Sequence, residues 1–358
     1  MGQTADRGFL LADDGSTRNF GIAIEAWTKS LYNPLNWTRI WSAIIMGKLP
    51  YYLFKTVRPR QWVKNLAVFA ALVFSGFLFD REYFLKVSES FVIFCGLASA
   101  VYIINDIVDA PEDRKHPFKK KRPLAAGLLP LPVAIAAVIV DLFVVGLWAW
   151  NLSIFFFLIC LIYVTLNLAY TQYLKTIPIL DLMTIASFYI LRVYAGAIVV
   201  NLHMNVWFLL TVISLALFLA VGKRQSERTL LGGLEGGLLG HRAVLSAYSI
   251  RLLDIYTGMF ANATWFTYAL FAFQHRFEAV EGPLPTFMAR VPRTFVSQKW
   301  LMVTVPLVIY GVMRYLQLVY EKNQGESPER VLLNDIPLLT TVIIWGILVI
   351  MILYAVGG

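Results

Sequence analysis

The chain has 358 residues, of which 58% are hydrophobic and 15% charged, and its formal net charge is +9. Soluble domains carry about a quarter of their residues as charges, so this composition excludes an ordinary soluble globular domain and points to a polytopic membrane protein. The basic residues lie between apolar runs and build no basic domain of their own, which sets nucleic acid aside and leaves loops facing the cytoplasm and anionic lipid.

Residues 1–20 read as disordered, and the first fifteen contain no apolar run of the kind a signal peptide needs. FGIAIEAWTKSL and NWTRIWSAIIMGKLPYYLFK follow, aromatic-rich and amphipathic, as expected of helices lying in the membrane interface. A helix crosses a bilayer with about 20 apolar residues. Stretches 62–80, 87–105, 131–150, 152–174, 178–200, 205–222, 255–274, 299–320 and 336–356 qualify, which predicts an all-α protein of about nine transmembrane helices. The first is the weakest. The third and fourth are separated by little more than Asn151 and predict a tight hairpin.

Basic residues set the expected orientation. Lys48, Lys55, Arg58, Arg60 and Lys64 precede the first span. Arg114, Lys115, Lys119, Lys120, Lys121 and Arg122 follow the second, and Lys223, Arg224, Arg228, Arg242 and Arg251 follow the sixth. These loops belong in the cytoplasm, with the N-terminus inside and the C-terminus outside. Arg276, Arg290, Arg293 and Lys299, after the seventh span, run against that pattern. Cys95 and Cys160 both fall inside apolar runs and read as buried small hydrophobes, not as a disulfide or a metal pair.

The most informative stretch is YIINDIVDAPEDRKHPFKKKRPLAAG, residues 102–127. Asn105, Asp109 and Asp113 recur every fourth residue, so on a helix their oxygens stack along one face, with Asp106 beside them. Pro111 is expected to break or kink that helix and to leave Asp113 in the loop beyond. Hard oxygen ligands at a span's end suit Mg²⁺, which takes one or two carboxylates together with substrate phosphates. The plainer reading is a solvated helix cap. Arg114, Lys119 and Arg122 come next and can grip phosphate oxygens that the metal leaves free, although part of this run serves orientation alone.

NDIVDAPED resembles the NDxxDxxxD motif of the UbiA superfamily of intramembrane prenyltransferases, and the K-x-x-R-P-L-A-A-G after it resembles that family's KxRPLxxG. RPRQWVKN at 58–65, residues 101–127, YTQYLKTIPILD at 170–181 and AVGKRQSE at 220–227 are similar to one branch, the decaprenyl-phosphate phosphoribosyltransferases. The resemblance runs from Arg58 to the C-terminus. It implies a UbiA-like transmembrane domain at 58–358 behind an N-terminal extension at 1–57. It also implies transfer of 5-phosphoribose from 5-phosphoribosyl-1-diphosphate to a polyprenyl phosphate, with Mg²⁺ on Asn105 and Asp109. Asp106, Asp109 and Asp113 would be catalytic. Lys64, Asn65, Tyr102, Arg114, Lys119, Arg122, Tyr170, Lys175, Asp181, Arg192, Lys223 and Arg224 would contact substrates. UbiA enzymes usually carry a second pair of aspartates four residues apart where this chain has Asp181 and Ile185, so one of two acidic motifs is half missing. A homo-oligomer is left open.

Arg192 lies deep in the fifth span. A buried arginine needs a partner inside the bundle, and Asp141, at similar depth in the third span, is the expected one; a substrate phosphate is the rival. The four histidines, His116, His203, His241 and His275, are scattered and form no catalytic arrangement with an acid. Two other functions compete: a prenyltransferase acting on an aromatic or quinone precursor, and a transporter with a cation site, which predicts inverted repeats and a mid-membrane site.

Overall fold

The computed structural model describes residues 47–114, 119–232, 247–275, 299–322 and 328–356. The amphipathic stretches up to residue 46, together with Lys115, His116, His241, Arg242, Arg276, Arg290 and Arg293, lie outside them. Among the described residues every regular element is helical. The α-helices are α1 (Leu49–Val57), α2 (Ala70–Phe74), α3 (Arg81–Asp113), α4 (Leu131–Leu152), α5 (Ile154–Gln172), α6 (Leu180–Val199), α7 (Val206–Gly232), α8 (Ile250–Gln274), α9 (Val305–Tyr320), α10 (Pro328–Asn334) and α11 (Ile336–Met351).

Seven helical stretches among the described residues are long and apolar enough to cross a membrane: α3 to α7, 300–320 and 336–354. By this measure the expected count of nine is not confirmed among the described residues. α8 has 25 residues, but Arg251, Asp254, Asn262 and several threonines dilute its apolar content. The expected first span is not an α-helix. It is a 3-10 helix of 11 residues, Pro59–Phe69, followed by the five residues of α2. Pro111 does not end α3 early. The proline removes one hydrogen bond, to the carbonyl of Ile107, and the helix continues to Asp113. The α4–α5 hairpin turns at Ser153, which is extended (φ −169°, ψ 140°), while Asn151 remains helical.

Local chemistry explains several boundaries. The Asp80 carboxylate accepts hydrogen bonds from the Glu82 and Tyr83 N–H groups and starts α3. Asp335 does the same for α11 through Leu338 N–H. Ile179, just before α6, has φ 70°, a costly value for a β-branched residue. Its N–H donates to the Tyr248 hydroxyl at 2.6 Å, which holds the turn.

One core gathers Phe94, Phe156, Tyr163 and Val145 from α3, α4 and α5 around Val68 and Leu72. A second joins Phe208, Tyr268, Phe271, Leu301 and Val349 in the other half of the bundle. The 3-10 helix lies against α3 and α6. Its three residues per turn keep every third side chain on one edge. Trp62, Asn65 and Val68 form the core edge: the Trp62 indole donates to Ser99, while Asn65 and Val68 are fully buried. Lys64, Ala67 and Ala70 form a second edge, which lines a chamber of about 480 Å³. Gly196 makes this contact with α6 feasible, because a Cβ there would lie 1.8 Å from the Val68 carbonyl oxygen. The chamber walls are overwhelmingly apolar, with Phe74, Tyr189, Phe208, Tyr268 and Trp345 among them, and among the described residues Lys64 is the one charged member of the lining.

Candidate active site

Side chains from the ends of α3, α5 and α7, the start of α6 and the 3-10 helix meet at one polar end of the bundle. Arg122 joins two turns of α3, reaching Asp106 at 3.2 Å and Asp113 at 2.6 Å. Arg58 makes a second ion pair with Asp106 and lies over the Tyr102 ring at 5.1 Å. Asp106 and Asp113 are both only 3% exposed. They are thus neutralised by arginines and do not stack as open ligands beside Asn105, as the four-residue spacing predicts. Arg58 can do this because its φ of 55° turns the chain sharply between α1 and the 3-10 helix.

Asn105 and Asp109 remain, one helical turn apart and half-buried. The Asn105 amide oxygen accepts a 2.8 Å hydrogen bond from the Thr171 hydroxyl and keeps a second lone pair. Among the described residues Asp109 makes no hydrogen bond or ion pair; it sits in the field of Lys175, Arg122 and Lys119, opposed by the Asp113 carboxylate. No cluster of three or more His, Cys, Asp or Glu side chains suited to a metal occurs among the described residues. Asn105 and Asp109 nevertheless fit a Mg²⁺ ion whose remaining ligands are substrate phosphates and water.

Asp181 and Arg224 were expected to face substrate. Both are 0% exposed and bind each other, Nε to Oδ2, at 2.8 Å. Arg224 also reaches Glu227 at 2.6 Å and the Tyr170 hydroxyl at 3.3 Å. The second Asp181 oxygen accepts from Tyr248 at 2.6 Å. Burial and that hydrogen bond push the Tyr248 hydroxyl well above the usual tyrosine range, so it stays a donor. Lys223 lies 3.8 Å from Glu227 and is 37% exposed.

The expected pairing of Arg192 with Asp141 is not formed. Arg192 donates to Asn65 Oδ1 at 2.8 Å, the Phe188 carbonyl at 2.8 Å and the Tyr163 hydroxyl at 2.9 Å. Its guanidinium packs over the rings of Tyr163 and Tyr189. Asp141 instead lies against Gly96, and its Oδ2 has no hydrogen-bond partner among the described residues. Gly96 opens a gap that receives the carboxyl between α3 and α4, whereas α6 turns Arg192 toward the 3-10 helix and α5. Arg114 and Lys119 are exposed at this end, and Lys175 is half-buried.

Thr171, Tyr163 and Tyr248 were missed from the sequence. Thr171 stands inside the YTQYLK motif, which was the available signal, although its partner Asn105 lies 66 residues away. Tyr163 and Tyr248 offer none, since their partners lie 29 and 67 residues away.

Residues 66–358 match the model of the UbiA prenyltransferase family. A decaprenyl-phosphate phosphoribosyltransferase of Corynebacterium glutamicum is 32% identical over 84% of this chain and 86% of its own length. A protein of the same name from Mycolicibacterium smegmatis is 34% identical over 79% of this chain and 86% of its own. The solved structure of a UbiA homolog from Archaeoglobus fulgidus bound to GPP and Mg²⁺ superposes with a TM-score of 0.57 at 19% identity, covering 85% of this chain and 99% of that one, which shows a shared fold. With its helical bundle, its NDxxD-bearing polar end and a family match over most of its length, the chain belongs to the UbiA prenyltransferase family of membrane transferases.

Proposed function

We propose that the protein transfers 5-phosphoribose from 5-phosphoribosyl-1-diphosphate to a polyprenyl phosphate, decaprenyl phosphate being the acceptor its relatives' names support. The observation that carries this reading is Asp109. Among the described residues it is an uncommitted carboxylate beside lysine and arginine, at the polar end of a bundle whose apolar chamber has Lys64 as its one charged described wall residue. That combination suits a phosphate-rich donor and an acceptor that is anionic at the head and apolar along the tail.

Asn105 and Asp109 would hold Mg²⁺, which when bound supplies positive charge to the departing diphosphate. Lys119, Lys175, Arg114 and Arg122 bind donor phosphates, with Asp106 and Asp113 fixing the position of Arg122. Lys64 holds the acceptor phosphate at the chamber, and the first part of the prenyl tail lies among the apolar walls. Tyr102 and Tyr170 donate hydrogen bonds to phosphate oxygens. An acceptor phosphate oxygen attacks ribose C1, the C1–O bond to diphosphate breaks, and its electron pair leaves with the diphosphate. The state between is oxocarbenium-like, so leaving-group stabilisation dominates. The nucleophile is already an anion and needs no general base.

In this reading the polar end and the N-terminus face the cytoplasm and the protein resides in the cell's inner membrane. Residues 1–57 form an interfacial extension. α1 supports the latter, with Leu49, Tyr52 and Leu53 packed on the bundle while Tyr51 and Phe54 face outward. Incubation of purified protein with labelled phosphoribosyl diphosphate, Mg²⁺ and decaprenyl phosphate should yield a labelled lipid. No label in lipid, with prenyl transfer to an aromatic acceptor instead, would replace this reading by the ordinary UbiA reaction.

A further inference from the structure

The acidic residues at the polar end are not equally available. Asp106 is held by Arg58 and Arg122, Asp113 by Arg122, and Glu227 by Arg224 and Lys223. Each Asp181 oxygen already accepts one bond, Oδ2 from Arg224 and Oδ1 from Tyr248, and the residue is 0% exposed, so no face of the carboxylate is open. One turn along α6 the chain offers Ile185, which has no oxygen to give. Asp109 alone of these acids makes no hydrogen bond or ion pair among the described residues. A second divalent ion at Asp181 would need lone pairs directed into open space, and this carboxylate is 0% exposed with its oxygens already engaged. Displacing Arg224 would strand a guanidinium that is itself 0% exposed, a costly state for a buried charge.

Arg224 is also connected to the open acid's side of the site. It donates to Tyr170, and the next residue of α5, Thr171, donates to Asn105. Neighbouring side chains of one helix end therefore tie the arginine-filled cluster to the Asn105–Asp109 pair. We infer that the protein works with a single divalent ion, held at Asn105 and Asp109, and that Arg224 is a permanent cation filling the coordination sites of Asp181. This rests on the placement of the ion given under Proposed function, but not on the identity of the sugar or lipid.

The test is a count of bound metal. Full-length protein in detergent is equilibrated by dialysis with Mn²⁺ and inorganic diphosphate, the product common to phosphoribosyl and prenyl transfer, and bound Mn²⁺ is read by electron paramagnetic resonance. One Mn²⁺ per chain, with no spin coupling between ions, is expected. Asp109→Asn should weaken that binding at least about tenfold. Asp181→Asn, which leaves Arg224 its bond to Glu227, should keep one ion with affinity within about threefold. Two ions per chain, a coupled Mn²⁺ pair, or loss of an ion in Asp181→Asn would overturn the inference. A one-ion result combined with no labelled lipid in the transfer assay would sink the phosphoribosyl reading and leave the metal count standing.

Discussion

Two buried arginines show how differently this bundle treats the same charge. At the polar end Arg224 is enclosed by Asp181, Glu227 and Tyr170, so the charge is matched within the protein. Farther along α6 Arg192 is 6% exposed, and its partners are an amide, a phenol and a backbone carbonyl, none of them charged. The first arrangement spends its charge on holding α6 and α7 together. The second satisfies the donors but leaves the positive field uncancelled, beside a Tyr189 ring that lines the chamber. Position on a helix and depth in the bundle do not decide whether a buried arginine is matched by an anion of the protein; the partners that its side chain reaches do.

Removing each charge should expose that difference. Arg224→Met leaves the buried Asp181 without its cation and Glu227 with Lys223 alone, and should cost about 3–5 kcal/mol, seen as a large fall in the thermal midpoint in detergent. Pairing it with Asp181→Asn should recover part of the loss. Asp109→Asn should lower turnover about 10² to 10³-fold in the labelled-lipid assay with little change in the midpoint, because no bond to a described residue is lost. Arg192→Met should cost less stability than Arg224→Met, about 1–3 kcal/mol for the acceptors left unmade, and should raise KM for polyprenyl phosphate as the local field disappears. A fall as large as that of Arg224→Met would mean an anion balances Arg192 after all. The smallest effect belongs to Asp141→Asn, which should move stability by about 1 kcal/mol or less. In a double-mutant cycle with Arg192→Met the two should add, and a coupling term would restore the ion pair that the spacing predicts.

Much of this was legible in the sequence, and the limits have physical causes. Apolar runs located α3 to α7 because a bilayer imposes a length that composition reveals. The run from Trp62 was misread, since hydrophobicity reports burial and says nothing of whether three or 3.6 residues fill a turn. Asn105 and Asp109 could be picked out together because they stand four residues apart on one helix, although Asn105's partner Thr171 lies on another. Asp181 and Arg224 were recognised as polar residues in the right place, but their mutual bond spans 43 residues, and no periodicity records such a meeting. Asp141 was paired wrongly for a related reason: similar depth does not imply facing sides, and Gly96 gave its carboxyl somewhere else to go.

The 3-10 helix carries a consequence for how this segment tolerates length change. Its 11 residues and the five of α2 have a contour of about 30 Å at rises near 2.0 and 1.5 Å, comparable to the hydrocarbon thickness of a membrane. Its edges run straight instead of winding, so each residue is committed to one direction over the whole segment. Adding a single residue after Pro59 would turn everything beyond it by about 120°, swinging the ammonium of Lys64 off its wall and Asn65 out of reach of Arg192. Insertions here are thus expected to fail where loop insertions elsewhere in the chain succeed.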